Sequence, residues 1–174
     1  MGIRPAKTIR KINKVAWARY SKKKPRKSFV KAMPHLHLTV YNMGKMRDDY
    51  EMQFDLTAKG PIQLRDNALE SARQAANKYL EKLLLNEYHF VVRVFPHNVL
   101  RENKMISGAG ADRLQKGMRA SFGRPTSRAA RVPKGQPIFS IKTMKENTEY
   151  VDEAYRRARS KLSGKYKTEV RELT

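Results

Sequence analysis

Basic residues in this sequence are concentrated in two segments, and this separation restricts which parts of the chain can build a folded core. Residues 1–47 contain 14 Lys and Arg and no acidic residue, and residues 97–145 contain 11 Lys and Arg against 2 acidic residues. Residues 48–96 and 146–174 are nearly neutral and carry regular apolar patterns. We therefore expect the core mainly in the neutral segments, with the basic segments attached to it as an extension and a loop.

The total charge restricts the kind of partner. Of 174 residues, 38 are Lys or Arg and 16 are Asp or Glu, a formal net charge of +22. Such an excess repels itself unless a polyanion compensates it, which favours nucleic acid as the partner. A membrane is not expected, because no apolar segment approaches the roughly 18–20 residues that span a bilayer. The absence of cysteine and of an apolar signal segment favours an intracellular protein without disulfides.

Two strands and a helix are predicted in the first neutral segment. Apolar and polar residues alternate over 50–57, which is typical of a half-buried strand, and the β-branched and aromatic run at 88–95 predicts a buried one. Between them, apolar residues at three- and four-residue steps predict a helix with Asp66 or Asn67 as its N-cap and a stop near Asn86.

A second helix is predicted from Thr148 to about Leu162, with acidic residues in its first turn and basic residues in its last, as the helix dipole favours. Weaker patterns predict strands at 36–43 and 137–143. Together these elements predict one α+β domain over 36–174, in which the scaffold at 36–162 is a mixed sheet with two helices.

The segment 1–35 mixes basic residues with prolines and aromatic residues and shows no period, so it is expected to order only against a partner. Lys and Arg can neutralise phosphates there, and the aromatic residues can stack on unpaired bases. A solvated tail or a targeting signal is the alternative. The candidate RNA-binding residues of this arm are Arg4, Lys7, Arg10, Lys11, Lys14, Trp17, Arg19, Lys22, Lys23, Lys24, Arg26 and Lys27.

The second basic segment predicts a long, irregular, glycine-rich loop at about 97–136, which is unusual in a compact domain unless it is functional. Glycines let backbone amides approach phosphates, and arginine offers a planar fork to phosphates and guanine edges. A nucleotide-binding loop is disfavoured, because GAGADR lacks both the third glycine of the dinucleotide fingerprint and the ending of a P-loop. The candidates are Arg113, Lys116, Arg119, Arg124, Arg128 and Arg131.

No catalytic residue, metal ligand, cofactor or small-molecule substrate is predicted. His35 and His37 stand two positions apart, but no cysteine or carboxylate near them in the sequence completes a metal site. His89, in an apolar run, is interpreted as a half-buried, hydrogen-bonded residue. Asp112 is interpreted as a partner for a loop arginine.

Four strings in the sequence resemble one known family. These are GIRPAK at the start, the helix ALESARQAANKYLEK, the segment NKMISGAGADRLQKGMRASFGRP and the segment ARVPKGQPIFSIKT. They are similar to ribosomal large-subunit protein L-ten-e of archaea and eukaryotes, of which bacterial L-sixteen is a shorter relative. The resemblance runs across nearly the whole chain, and the arm and the end of the chain look like the archaeal form.

The resemblance implies an α/β-hammerhead fold and a structural protein that binds 23S rRNA, lies near 5S rRNA and contacts neighbouring large-subunit proteins. It also implies that a loop matching residues 101–118 faces A-site tRNA near the peptidyl-transferase region. A ribosome-bound, cytoplasmic protein without enzymatic activity is therefore expected. The residues expected to face tRNA are Arg101, Lys104, Gly108, Gly110, Arg113, Lys116 and Arg119, and those expected on rRNA besides the arm are Arg124, Arg128 and Arg131.

Two other functions stay open from the residues alone. An RNA-modifying enzyme could use Asp112, which would require an ordered pocket with a second polar group. A DNA-compacting protein would show little preference for folded RNA over duplex DNA, with a salt dependence set by its number of phosphate contacts.

Overall fold

A computed structural model describes residue 30, residues 32–115 and residues 117–173, with the side chain of Asp112 outside the described part. Eight strands, two long α-helices and one short α-helix are found there, besides a 3-10 helix at Lys145–Asn147. In chain order they are β1 (Asn42–Gly44), β2 (Met52–Ala58), β3 (Ile62–Arg65), α1 (Asp66–Leu84), β4 (His89–Val92), β5 (Asn98–Glu102), α2 (Ala111–Leu114), β6 (Arg124–Val132), β7 (Pro137–Thr143), α3 (Thr148–Lys161) and β8 (Tyr166–Glu172).

The strands form two sheets and not one. The larger has the order β1-β4-β7-β2-β8, the smaller has the order β3-β6-β5, and every pairing is antiparallel. The α+β class is thus confirmed, whereas the single mixed sheet was wrong. Gly60 and Pro61 lie where the chain leaves β2 of the first sheet and enters β3 of the second. A break of this kind lets consecutive strands enter different sheets.

The core lies between the larger sheet and the two long helices. Phe90 and Phe139 meet edge to face with ring centroids 5.3 Å apart, an arrangement that aromatic quadrupoles favour. Tyr155 of α3 is fully buried against them, and its hydroxyl donates to the backbone oxygen of Phe54 at 2.7 Å. Buried residues of α1 and α3 belong to the same core cluster as Phe54, Phe90 and Phe139. Both helices therefore lie on one face of the larger sheet, which leaves polar side chains on the other.

Several predicted elements are confirmed. The helices at 66–84 and 148–161 and the strand at 137–143 lie where the sequence placed them. Asp66, however, is the first residue of α1 and not its N-cap, and its carboxylate accepts from the backbone of His37 and of Asn67. The predicted strand at 36–43 was largely wrong, since only residues 42 and 43 of that span lie in β1, and β3 and β8 were not predicted.

Because two tyrosines are buried, we expect the free energy of unfolding to fall at alkaline pH. Burial raises the pKa of Tyr88 and of Tyr166 to about 12. The folded state therefore binds these phenolic protons more tightly than the unfolded state does. Their contribution to the free energy of unfolding is complete below about pH 10 and is lost as pH rises toward 12. We expect Tyr88→Phe to make the fall in the free energy of unfolding between pH 10 and 12 shallower in urea titrations. The exposed Tyr150→Phe is the control, and equal slopes for both variants would contradict the expectation.

Candidate nucleic-acid interface

The segment predicted as one irregular loop at 97–136 is in fact a strand pair with a shorter loop between its strands. Strands β5 and β6 pair from Asn98 opposite Ala129 to Glu102 opposite Arg124, with a bulge between Leu100 and Arg101. Residues 103–123 connect them and include the one-turn helix α2. Both ends of the loop are therefore anchored in paired strands of the smaller sheet.

The base of the loop is closed by a glycine and an arginine. Gly123 has a φ of +80°, and a Cβ placed on it would lie 2.7 Å from the carbonyl carbon of Glu102. Only glycine fits so close an approach in the left-handed region. Arg101 donates to the backbone oxygen of Gly123 at 3.1 Å and lies over the Phe122 ring at 4.6 Å. Arg101, expected to face tRNA, thus supports the loop from within.

Gln115 bridges the two limbs of the loop. Its side-chain oxygen accepts from the backbone nitrogen of Ile106 at 2.7 Å, and its side-chain nitrogen donates to the backbone oxygen of Lys104 at 3.0 Å. Sequence reasoning missed this residue, because a single glutamine in a basic segment carries no pattern. The loop lines an open pocket of about 640 Å³ whose lining includes Arg119 and Arg124.

Four of the predicted cations project from the loop or its base into solvent. Lys104, Arg113, Arg119 and Arg124 are all exposed. Among the described residues, no carboxylate lies within ion-pair distance of any of them. Their positive charge is therefore uncompensated within the described part of the protein. This is the arrangement that binds phosphates strongly.

Two other predicted cations are held within the protein. Arg128 donates from Nε to the backbone oxygen of Pro34 at 2.7 Å, and Arg131 donates to the side-chain oxygen of Asn98 at 2.9 Å. Asn98 is fully buried and in turn donates to Gln63 at 2.7 Å. Both arginines are half-buried in β6: Arg128 joins the smaller sheet to the segment before β1, and Arg131 joins β6 to β5 within that sheet.

The remaining predicted residues divide into two groups. Gly108 and Gly110 lie exposed in the loop, both with positive φ, and Gly110 directly precedes α2. All the candidates of the arm, from Arg4 to Lys27 and including Trp17, lie outside the described residues, as does Lys116. Their assignment stays a prediction.

Exposed apolar side chains accompany the cations, and sequence reasoning did not single them out. Leu114 is 77% exposed, and Met118 and Phe122 are also largely exposed. Exposed apolar groups beside uncompensated cations suit a surface that binds bases as well as phosphates. Their position inside a basic, glycine-rich segment is the signal that could have identified them.

The histidines differ in part from expectation. His37 lies in no strand, and its ring nitrogen Nδ1 is 2.8 Å from the carboxylate of Asp66, which is distant in sequence. His89 is half-buried as expected, but no described residue forms a hydrogen bond to its ring. Within the described part, no three His, Asp or Glu side chains are grouped so that they could hold a metal ion. No helix there has the length and apolar character needed to cross a membrane.

Removing the Gln115 bridge is expected to loosen the loop without affecting the core. Gln115→Ala leaves the Ile106 amide and the Lys104 carbonyl without this partner, at about 1 kcal/mol for each bond. Hydrogen exchange at Ile106 should accelerate about fivefold or more, while exchange in α1 stays unchanged. Gln74→Ala, which removes an exposed bond to Glu70 within α1, is the control. Unchanged exchange at Ile106 would show that the bridge does not hold the loop.

These features define the class of protein: an α+β domain with a basic loop that is held at its base and whose cations have no ion-pair partner among the described residues. A protein of this class suits a polyanionic partner. Residues 17–169 match the family described as ribosomal protein L16p/L10e. Large ribosomal subunit protein uL16 of Methanococcus aeolicus is 46% identical over 168 residues, which cover 96% of this chain and 93% of that protein. The uL16 protein of Archaeoglobus fulgidus is 42% identical over 84% of each chain. The uL16 protein of Sulfolobus acidocaldarius is 40% identical over 99% of this chain and 96% of that protein. The chain belongs to the ribosomal protein L16p/L10e family.

Proposed function

We propose that this chain is a structural constituent of the large ribosomal subunit, bound to the ribosome in the cytoplasm, that binds 23S rRNA and helps to position A-site tRNA. Its family membership supports the ribosomal part of this proposal. The observation that carries the tRNA part is the exposure of Lys104, Arg113 and Arg119 on the loop, none of which has an ion-pair partner among the described side chains. The proposed function includes no catalytic step.

The roles proposed for the loop, the arm and the core follow from how each part of the chain is held. The smaller sheet fixes the base of the loop through Gly123 and Arg101, so that the exposed cations of the loop are presented from a fixed position. Lys and Arg there neutralise phosphates that crowd together around bound tRNA. The arm at 1–35 contacts 23S rRNA, with 5S rRNA and other large-subunit proteins nearby, and the core at 36–162 is the scaffold. The hammerhead arrangement is part of the same proposal.

Sedimentation tests the ribosomal part directly. Gradient fractions of a native extract, probed for this chain, should show it with the large subunit, and the association should survive moderate salt. A chain found mainly free would overturn the proposal. A chain found mainly on DNA would favour a DNA-compacting protein.

Cross-linking tests the loop. The chain has no cysteine, so one cysteine carrying a photoreactive group can be placed at will. We expect Leu114→Cys, in the loop, to cross-link A-site tRNA in ribosomes. Leu85→Cys, at the end of α1 and 80% exposed against 77% for Leu114, is the matched control and should not. Equal tRNA yields from both positions, or none from Leu114, would overturn the assignment of the loop.

A further inference from the structure

A second basic surface lies on the larger sheet, on the face opposite the two helices. A groove of about 520 Å³ opens there across β1, β4 and β7. Its volume is within the usual range of binding sites, roughly 300–1,000 Å³. Unlike the loop, this groove has a floor of paired strands, with the segment after β1 along its rim.

Strand register explains why these side chains share one face. His89 of β4 lies opposite Lys142 of β7 and opposite Gly44 of β1. Two residues further along, Val91 lies opposite Ser140 and Asn42. Side chains at every second residue point to the same face, so this row lines the groove while Phe90 and Ile141 point to the core.

A buried carboxylate fixes the position of one cation in the groove. Asp55 is only 2% exposed and accepts a hydrogen bond from the Ser140 hydroxyl, whose oxygen accepts from Nε of Arg93 at 3.0 Å. Gln53 donates to the same carboxylate at 3.0 Å. Arg93 is thereby oriented through one nitrogen, and no described residue accepts a hydrogen bond from its two terminal amino groups.

The groove has more positive than negative charge. Arg47, Arg93 and Lys142 line it, against the single exposed carboxylate of Asp48. None of the three cations has an ion-pair partner among the described residues. The pKa of His89 is lowered by burial and by the nearby charges of Lys142 and Arg93. An anion in the groove would relieve this repulsion.

We propose that this groove binds the phosphate backbone of an rRNA segment, through Arg93 and Lys142, as an interface separate from the loop. Charge complementarity selects RNA over an apolar protein segment, because an oriented guanidinium whose two amino groups donate to no described residue matches a phosphate. The proposal rests on membership of the large subunit and not on the tRNA contact of the loop. A groove set on strands also holds its ligand in a fixed orientation, which suits a permanent contact.

Salt-dependent release from the subunit tests the proposal. Large subunits carrying Arg93→Gln and Lys142→Gln together are washed with increasing KCl, and the retained chain is measured. Loss of two phosphate contacts should reduce the slope of log affinity against log salt by about 2. Lys78→Gln with Lys82→Gln, two exposed cations of α1, is the matched control. Thermal unfolding of both variants shows whether the fold is kept, and a slope equal to that of the control would overturn the proposal.

A cross-link identifies what occupies the groove. Val91→Cys, carrying a photoreactive group within the groove, should give a product with rRNA in intact subunits. A product with another ribosomal protein alone would overturn the proposal. The loop variant Arg113→Ala with Arg119→Ala is washed in parallel without tRNA and should release like the wild type. The two variants thus distinguish a failure of the proposed rRNA contact in the groove from a failure of the proposed tRNA contact of the loop.

Discussion

Gly123→Ala is expected to lower the free energy of unfolding by about 3 kcal/mol. The left-handed conformation costs an L-residue about 1–2 kcal/mol, and overpacking adds about 1–3 kcal/mol. At this position the new Cβ would meet the backbone of Glu102 and Asn103, which cannot rotate away as a side chain can. The strand pair at the base of the loop would have to separate.

Gly135→Ala is the control that isolates the contact. Gly135 has the same φ of +80°, but no atom lies within 4 Å of the added Cβ, so only the conformational part of the effect remains. Urea unfolding of both variants measures the difference. A loss at Gly123 no larger than that at Gly135 would show that β5 and β6 separate easily at this end.

The combined substitution Arg113→Ala and Arg119→Ala is expected to weaken A-site tRNA binding by about 10- to 30-fold. Each removes a charge-assisted phosphate contact of about 1 kcal/mol under the proposed function. Both side chains are exposed, so the isolated fold should keep its unfolding midpoint. Equilibrium binding of tRNA to the A site of otherwise intact ribosomes measures the effect.

The control for this pair is Lys78→Ala with Lys82→Ala, which removes the same charge from the exposed side of α1. It should leave tRNA affinity unchanged. Mutant subunits that assemble, bind tRNA with wild-type affinity and translate normally would refute the role of Arg113 and Arg119.

The helices and β7 could be predicted because their patterns are local. Alternating or three-and-four spacing of apolar residues fixes which face is buried, wherever the element later packs. Strands β5 and β6 could not, since arginines recur along β6 and conceal its alternation. Arg128 and Arg131 were assigned to RNA for their charge alone. Their partners Pro34 and Asn98 are distant in sequence, and only the three-dimensional arrangement brings them together.

Asp55 shows a second limit of sequence reasoning. Alternation in β2 placed it on a polar, outward face, and the face is correct, but the residue is buried there. Ser140, Gln53 and Arg171 surround it from its own strand and both neighbouring strands. Which strands become neighbours is decided by sheet order, and the order β4-β7-β2-β8 brings together residues from both ends of the domain.

Glu102 pairs with Arg124 at the point where the loop begins and ends, so the two strands are joined whatever the length of the loop between them. Ring closure of a flexible segment depends only logarithmically on its length, so doubling the segment costs about 0.6 kcal/mol. Insertions or deletions between residues 103 and 123 would therefore change how far the basic tip extends while the two sheets remain as they are. Descendants of this sequence can adjust that reach in small steps, without having to redesign the domain that carries it.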